Sequence, residues 1–450
     1  EGIRQSGTLG QVIKKLLPQG KTTVFKAQLR ILPSVAFISA FLNNTPVVVI
    51  FAPIIKHWAK SVKLPATKFL IPLSYVTILG GICTLIGTST NLVVHGMILE
   101  AGYEGFTMFE LGKVGIFIAI AGIIYLFIFS KRLLPDARPD TAVPDEEVEE
   151  GEKLHRVEAV LGARFPGINK KLSDFNFQRH YGAEVKEIKT RNGQRYVDHL
   201  EDVVLREGDT LVVMADDTFI PTWGESSVFV LLTNGNDPDT SGKKKRWLAL
   251  ILLVLMIVGA TVGELPITKE MFPDIKLDMF FFVCITTIIM AWTNIFPARK
   301  YTKYISWDIL ITIACAFAIS KAMVNSGVAD CVAGFIIGLS DDYGPHVLLA
   351  ILFVITNLFT ELITNNAAAA LAFPLALSIS AQLGVSPTPF FVVICMAASA
   401  SFSTPIGYQT NLIVQGIGNY KFTDFVRIGL PLNIITFLIS VILIPLIWNF

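Results

Sequence analysis

The sequence predicts an all-α polytopic membrane protein, made of inverted repeats with hairpins and broken helices, and carrying a small inserted α+β domain. Three observations predict this. Of the 450 residues, 52% are hydrophobic and only 16% are charged, whereas a soluble domain has roughly 25% charged residues. Apolar stretches long enough to span or half-span a bilayer recur at about 31–52, 69–97, 114–130, 246–263, 278–297, 306–322, 345–363, 367–382, 388–415 and 428–449. Inside two of them the same polar text appears. Residues 84–96 read TLIGTSTNLVVHG and residues 404–416 read TPIGYQTNLIVQG, identical at eight of thirteen positions.

Composition also excludes other classes. A net charge of +1 gives no electrostatic footprint for nucleic acid. Cys83, Cys284, Cys315, Cys331 and Cys395 stand singly in apolar segments, so neither a disulfide framework nor a zinc site is indicated. No nucleophile–base pair or metal cluster converges, so the expectation is a protein that is not an enzyme and has no organic cofactor. QGKTT at 19–23 imitates the end of a phosphate loop, but Lys15 stands where Gly is required. Asn43-Asn44-Thr45 matches a glycosylation sequon, yet it lies in an apolar stretch and is followed by Pro46.

Between 132 and 245 the text changes. A charged, Pro-containing linker (PDARPDTAVPDEEVEEGEKLHR) leads into a region of about 155–235 that alternates apolar and polar residues. Val185 and Ile188 flank polar residues, Asn192-Gly193 signals a hairpin turn, and TLVVM reads as a buried strand. Lys131-Arg132 enters this insert and Lys243-Lys244-Lys245-Arg246 leaves it, which by the positive-inside rule makes it cytoplasmic. Residues 246–263 then run outward, and 278–297 return to the basic ARKYTK at 298–303.

The repeat divides the rest. A shift of 320 places Thr84–Gly96 on Thr404–Gly416, and a shift of 321 places NNTPVVVIFAP (43–53) on TNNAAAALAFP (364–374). The first membrane repeat is therefore 1–131, and 246–450 is a second membrane half holding the inverted copy. The loop KHWAKSVKLPATK (56–68) carries five Lys or His residues, whereas its counterpart QLGVSPTP (382–389) is uncharged. One loop is thus expected inside and the other outside. Three apolar segments precede the second copy, so the reading expects about 75 further scaffold residues, two or three crossings, ahead of residue 1.

Irregular backbone persists in a bilayer only when it is buried in protein or lines a cavity. Inverted repeats with broken helices set a binding site where the breaks meet. Gly87 and Gly407 permit the sharp turns, and Asn91 and Asn411 can hold the broken ends. The hairpin tips offer amides and hydroxyls without fixed charge, which suits an anion that must also be released. Glu361, beside the second tip, is a proton-coupling candidate. A scaffold-facing carboxylate is weighed against it, because Ala40 holds the matching place in the first copy.

These residues resemble the divalent anion/sodium symporter family, carriers of dicarboxylates, citrate and sulfate. That family's mark is a Ser-Asn-Thr triplet at the tip of each of two re-entrant hairpins. Here the matching triplets are Asn43-Asn44-Thr45 and Thr364-Asn365-Asn366, with the central Asn kept. The family's Thr-Pro-Pro-Asn turns correspond to Thr88-Ser89-Thr90-Asn91 and Tyr408-Gln409-Thr410-Asn411. The resemblance implies that both triplets bind substrate. It also implies two Na⁺ sites, one from Ser39, Asn44 and the Gly87 carbonyl, the other from Thr360, Asn365 and the Gly407 carbonyl. Thr88, Asn91, Tyr408 and Asn411 support them. It further implies a homodimer and an elevator motion. The stretches GINKKLSDFNFQRHYGAEVKEIKTRNGQRY and LREGDTLVVMA look like the C-terminal domain of potassium-conductance regulators (TrkA-C). Such a domain could bind a small regulatory ligand, or be structural or dimerising.

The reading is a secondary active transporter of the cell membrane, coupling Na⁺ to a divalent anion, sulfate or a dicarboxylate, with no nucleic-acid partner. Its alternatives are a proton-coupled carrier or exchanger using Glu361, and a transceptor or channel-like protein regulated by the inserted domain.

Overall fold

Polar punctuation shapes a chain that is otherwise helical. The computed structural model describes residues 2–6, 8–18, 20–136, 155–162, 164–190, 194–216, 219–223, 228–233, 243–263, 265–271, 277–295, 305, 307–338 and 344–450. Short helices α1 (Gly2–Gln5) and α2 (Thr8–Leu16) lead to the pair α3 (Val24–Ser39) and α4 (Asn44–Ser61). The Thr23 hydroxyl caps α3 by accepting from the Lys26 amide. α5 (Leu70–Gly81) ends at a Gly pair, the chain runs irregularly through 82–88, and α6 (Ser89–Glu100) resumes. The break has a local cause. Thr84 accepts from the Gly87 amide and donates to the Ala40 carbonyl, offering the backbone partners that a continuous helix would otherwise supply. α7 (Gly112–Leu133) completes the first half.

A five-stranded sheet follows, in the order β3-β2-β4-β1-β5. Its strands are β1 (His155–Leu161), β2 (Glu184–Lys189), β3 (Arg195–Tyr196), β4 (Thr210–Ala215) and β5 (Phe229–Thr233). Every pairing is antiparallel. With α8 (Phe177–Tyr181) and α9 (Phe219–Trp223) the sheet encloses an aromatic core of its own that includes Phe165, Phe175, Phe177 and Phe229. The expected turn residues Asn192 and Gly193 lie outside the described residues, as do 137–154 of the linker and the basic 298–303.

The chain continues as α10 (Lys243–Gly263), α11 (Pro266–Met271), α12 (Met279–Trp292), α13 (Trp307–Asn325) and α14 (Val328–Gly338). A second helix pair follows, α15 (Gly344–Leu362) and α16 (Asn365–Leu383). After it come α17 (Thr388–Ser399), an irregular stretch at 400–408, α18 (Gln409–Gly418) and the long α19 (Phe422–Ile447). The apolar stretches 31–52, 69–97 and 388–415 therefore each split in two where the polar text falls. α14 adds a helix that the hydropathy reading did not separate. It is short, and Gly327 with φ +73° turns the chain just before it.

Among the described residues four helices are long and apolar enough to cross a membrane: α7, α15, α16 and α19. α19 carries apolar residues on both its buried and its outward side, as a membrane span can. It buries Phe425, Ile428 and Leu432 while Leu430, Ile434, Leu438 and Ile442 face outward. The two broken helices form the centre. All of α5 is buried, as is α17 from Pro389 to Ser399. α3, α4 and α7 pack on α5, and α15, α16 and α19 pack on α17.

Candidate functional site

Each helix-pair tip rests on the break of the opposite half. At the first tip Asn44 is fully buried. Its Oδ1 accepts from Ser39 Oγ at 2.7 Å, and its Nδ2 donates to Tyr408 Oη at 2.7 Å. That phenol also lies 2.9 Å from Thr88 Oγ1, so one Tyr ties tip and both breaks together. Beside it, Thr45 Oγ1 donates to Gln409 Oε1 at 3.3 Å. At the second tip Asn365 Nδ2 donates to Thr90 Oγ1 at 2.7 Å. Asn366 Oδ1 accepts from Ser89 Oγ at 3.2 Å and Thr90 Oγ1 at 3.3 Å. Thr364 caps α16 by accepting from the Ala367 amide. Asn43 makes no side-chain cap on α4 and instead lines a cavity of about 510 Å³ with Phe41, Leu42, Ile86 and Met290.

The breaks themselves are built alike. Asn91 Nδ2 donates to the Thr84 carbonyl at 2.9 Å and to that of Gly81 at 3.5 Å. Asn411 Nδ2 donates to the carbonyls of Thr404 at 3.1 Å and Ser401 at 2.8 Å. The donor and both acceptors recur 320 residues on. The Gly87 and Gly407 amides likewise both donate to a Thr hydroxyl, Thr84 and Thr404.

Oxygen atoms converge at each break. A Cβ placed on Gly81 would lie 2.7 Å from Asn44 Oδ1 and 3.1 Å from the Gly87 carbonyl oxygen. A Cβ on Gly407 would meet Ser401 Oγ and the Thr360 carbonyl oxygen, each at 2.1 Å. Such cradles of amide, hydroxyl and carbonyl oxygens fit a hard cation. Asn91 Oδ1 is buried and has no hydrogen-bond partner among the described residues.

The two cradles also differ. Ser39 bonds to Asn44, but Thr360 Oγ1 donates to the Ala398 carbonyl at 2.7 Å while Asn365 reaches across to Thr90. Ser401 explains part of the difference, since it puts a hydroxyl where the first break has Gly81. Sequence reasoning missed Ser401, although the 320 offset marks the position. Thr90 and Gln409 stand in the two quoted turns, where the sequence alone gives them no separate role. Ser74 had no signal beyond a hydroxyl in an apolar helix, yet its Oγ donates to Asn411 Oδ1 at 2.7 Å and lies 2.9 Å from Thr410 Oγ1. Glu361 supports the second break. One of its oxygens accepts from the Ser403 amide at 2.8 Å and from Asn433 Nδ2 at 2.7 Å, and the other accepts from Ser401 Oγ at 3.4 Å.

Bilayer-length apolar helices around two buried, polar-lined helix breaks define a polytopic membrane transporter. The citrate transporter family model matches residues 1–379 and, in a second match, residues 267–450, and the chain belongs to that family. An uncharacterized transporter of Synechocystis sp. is 29% identical over 100% of this chain and 87% of its own length. Sodium/sulfate cotransporter 2 of Chlamydomonas reinhardtii is 31% identical over 62% of this chain and 31% of its own. A sodium-dependent dicarboxylate transporter of Staphylococcus saprophyticus is 25% identical over 32% of this chain and 28% of its own.

Proposed function

We propose that the protein is a secondary active symporter that couples Na⁺ to a divalent anion, sulfate or a dicarboxylate, by an elevator-type motion. The observation that carries this is the seating of each neutral, Asn-centred tip on the opposite break, beside a cradle of neutral oxygens. Amide and hydroxyl groups of Asn43, Asn44, Thr45, Thr364, Asn365 and Asn366 would bind the dianion. One Na⁺ would use Ser39, Asn44 and the Gly87 carbonyl. The other would use Thr360, Asn365 and the Gly407 carbonyl, with Ser401 added. The relatives named for sodium-coupled sulfate and dicarboxylate transport support both the ion and the substrate class.

The finer architecture belongs to the same reading: two inverted repeats with re-entrant hairpins, a homodimer, and a TrkA-C-like domain on the cytoplasmic side of the cell membrane. Contact between that domain and Lys56, at the start of the basic 56–68 loop, supports placing both on one side. A pocket of about 350 Å³ near Thr190, Tyr196, His199 and Arg206 is where a small regulatory ligand would fit. Glu361 braces the second break in this reading, with donors on both of its oxygens, and the hydroxyl, amide and carbonyl oxygens of the cradles suit Na⁺ as the coupling ion.

Uptake of labelled sulfate and succinate into proteoliposomes tests this. An inward Na⁺ gradient should drive one of them with the pH gradient collapsed, and Glu361→Gln should keep at least part of that uptake. Uptake driven by a proton gradient alone, and stopped by Glu361→Gln, would overturn the sodium assignment.

A further inference from the structure

The inserted sheet is covered on both faces, and only one cover is its own. Alternation assigns the faces. Val157, Ala159 and Leu161 of β1 and Leu211, Val213 and Ala215 of β4 point into the domain's aromatic core. Between them, Val160 is buried in the helical core of the membrane part, and Thr210 and Val212 are buried as well. What covers this second face is α18. A Cβ on Gly416 would lie 2.5 Å from Thr210 Oγ1 and 3.7 Å from Val160 Cγ2, and a Cβ on Gly208 would lie 2.5 Å from Leu412 Cδ1.

An ion cluster fastens the same face to α4. Lys56 Nζ lies 3.0 and 3.1 Å from the two oxygens of Glu158 on β1, and Lys189 Nζ on β2 lies 3.3 Å from one of them. The Glu158 and Lys189 side chains are only 17% and 5% exposed. Burial alone would raise the Glu158 carboxyl, but the Lys56 and Lys189 ammonium groups overrule it and hold it at about 2. A buried pair of this kind is screened by salt far less than a surface pair.

α4 starts at the tip residue Asn44 and α18 starts next to Tyr408, so the domain sits on the two helices whose beginnings meet in the site. Lys56 lies about 18 Å along α4 from Asn44, at 1.5 Å per residue. Meanwhile β5 ends at Thr233 and α10 begins at Lys243, so the domain is also tied covalently to a helix that packs on α2 and α12.

We propose that the inserted domain is a brake on the transport cycle: its seat on α4 and α18, fastened by Lys56, Glu158 and Lys189, restrains these helices against α10. The proposal rests on the transporter reading above, and anything that lifts the seat would speed the cycle.

The test is the paired variant Thr210→Cys/Gly416→Cys in the full chain, reconstituted and assayed with labelled sulfate and succinate under an inward Na⁺ gradient. Oxidation should close the cross-link and cut uptake more than tenfold, reduction should restore it, and neither single variant should respond. A cross-linked protein that transports as fast as it does with its thiols reduced, or a pair that does not cross-link, overturns the brake. Should the reduced protein carry neither anion, the transport reading fails by itself and docking is read separately. Maleimide then labels Thr210→Cys, a buried position. Glu158→Lys should raise the labelling rate at least tenfold, and adding Lys56→Glu should bring it back. Unchanged slow labelling in Glu158→Lys would overturn the docking.

Discussion

Asn44 uses both ends of its amide, one toward Ser39 in its own half and the other toward Tyr408 in the second. Truncation strands two buried partners, each at a cost of about 1–3 kcal/mol. Asn44→Ala and Asn365→Ala should each lower uptake more than tenfold while the protein remains folded, as checked by size-exclusion profile and uptake at matched expression. Wild-type uptake in both would remove the tips from the mechanism. Glu158 makes a different prediction. Its folded value of about 2 lies below the usual carboxylate value of 4.5. The stability it contributes is therefore complete above about pH 4.5 and is lost as pH falls through about 2. The difference in thermal unfolding midpoint between the protein and Glu158→Gln should stay flat from about pH 5 to about pH 8; a drop within that window would point to another titrating group. Asn44, Asn365, Asn91 and Asn411 were legible because each occurs twice at one offset. Ser401 and Ser74 were not, because their partners are set by helix packing that single residues do not encode.

At the scale of elements, the second break is held from outside by α19. A Cβ on Gly429 would lie 1.9 Å from the Phe402 carbonyl oxygen, a backbone atom fixed by the irregular 400–408 stretch. Gly429→Ala should force α19 away and destabilise the protein by about 1–3 kcal/mol, with reduced uptake. Gly96→Ala in α6, where the added methyl meets nothing within 4 Å, should leave uptake unchanged and stabilise slightly, by about 0.5–1 kcal/mol. Thermal unfolding of the purified variants compares the two; equal midpoints would mean α19 does not clamp the break. Hydropathy located most of these helices but not α14, which is too short and sits too close to α13. The TLVVM run was readable as a buried strand, and its reason is now visible: the two faces of β4 are covered by different partners, so the usual polar alternation is absent.

Across the whole molecule, the repeat in the sequence announced two related units, but not how they engage. The pairing is crossed, tip one on break two and tip two on break one. This engagement has a consequence in time. Asn44 and Tyr408 are separated by 364 residues of chain. A ribosome adding roughly 5–20 residues per second takes about 18–73 s to cover that distance. For that interval the first half is in the bilayer with the amide of Asn44 lacking its phenol and the Thr88 to Asn91 turn lacking its cover. In hydrocarbon such groups are expensive to leave bare. The inserted sheet is synthesised within the same interval, and its Glu158 can already meet Lys56 while β4 still waits for α18. The newborn protein must therefore shelter a polar membrane segment before the other half of the proposed site exists.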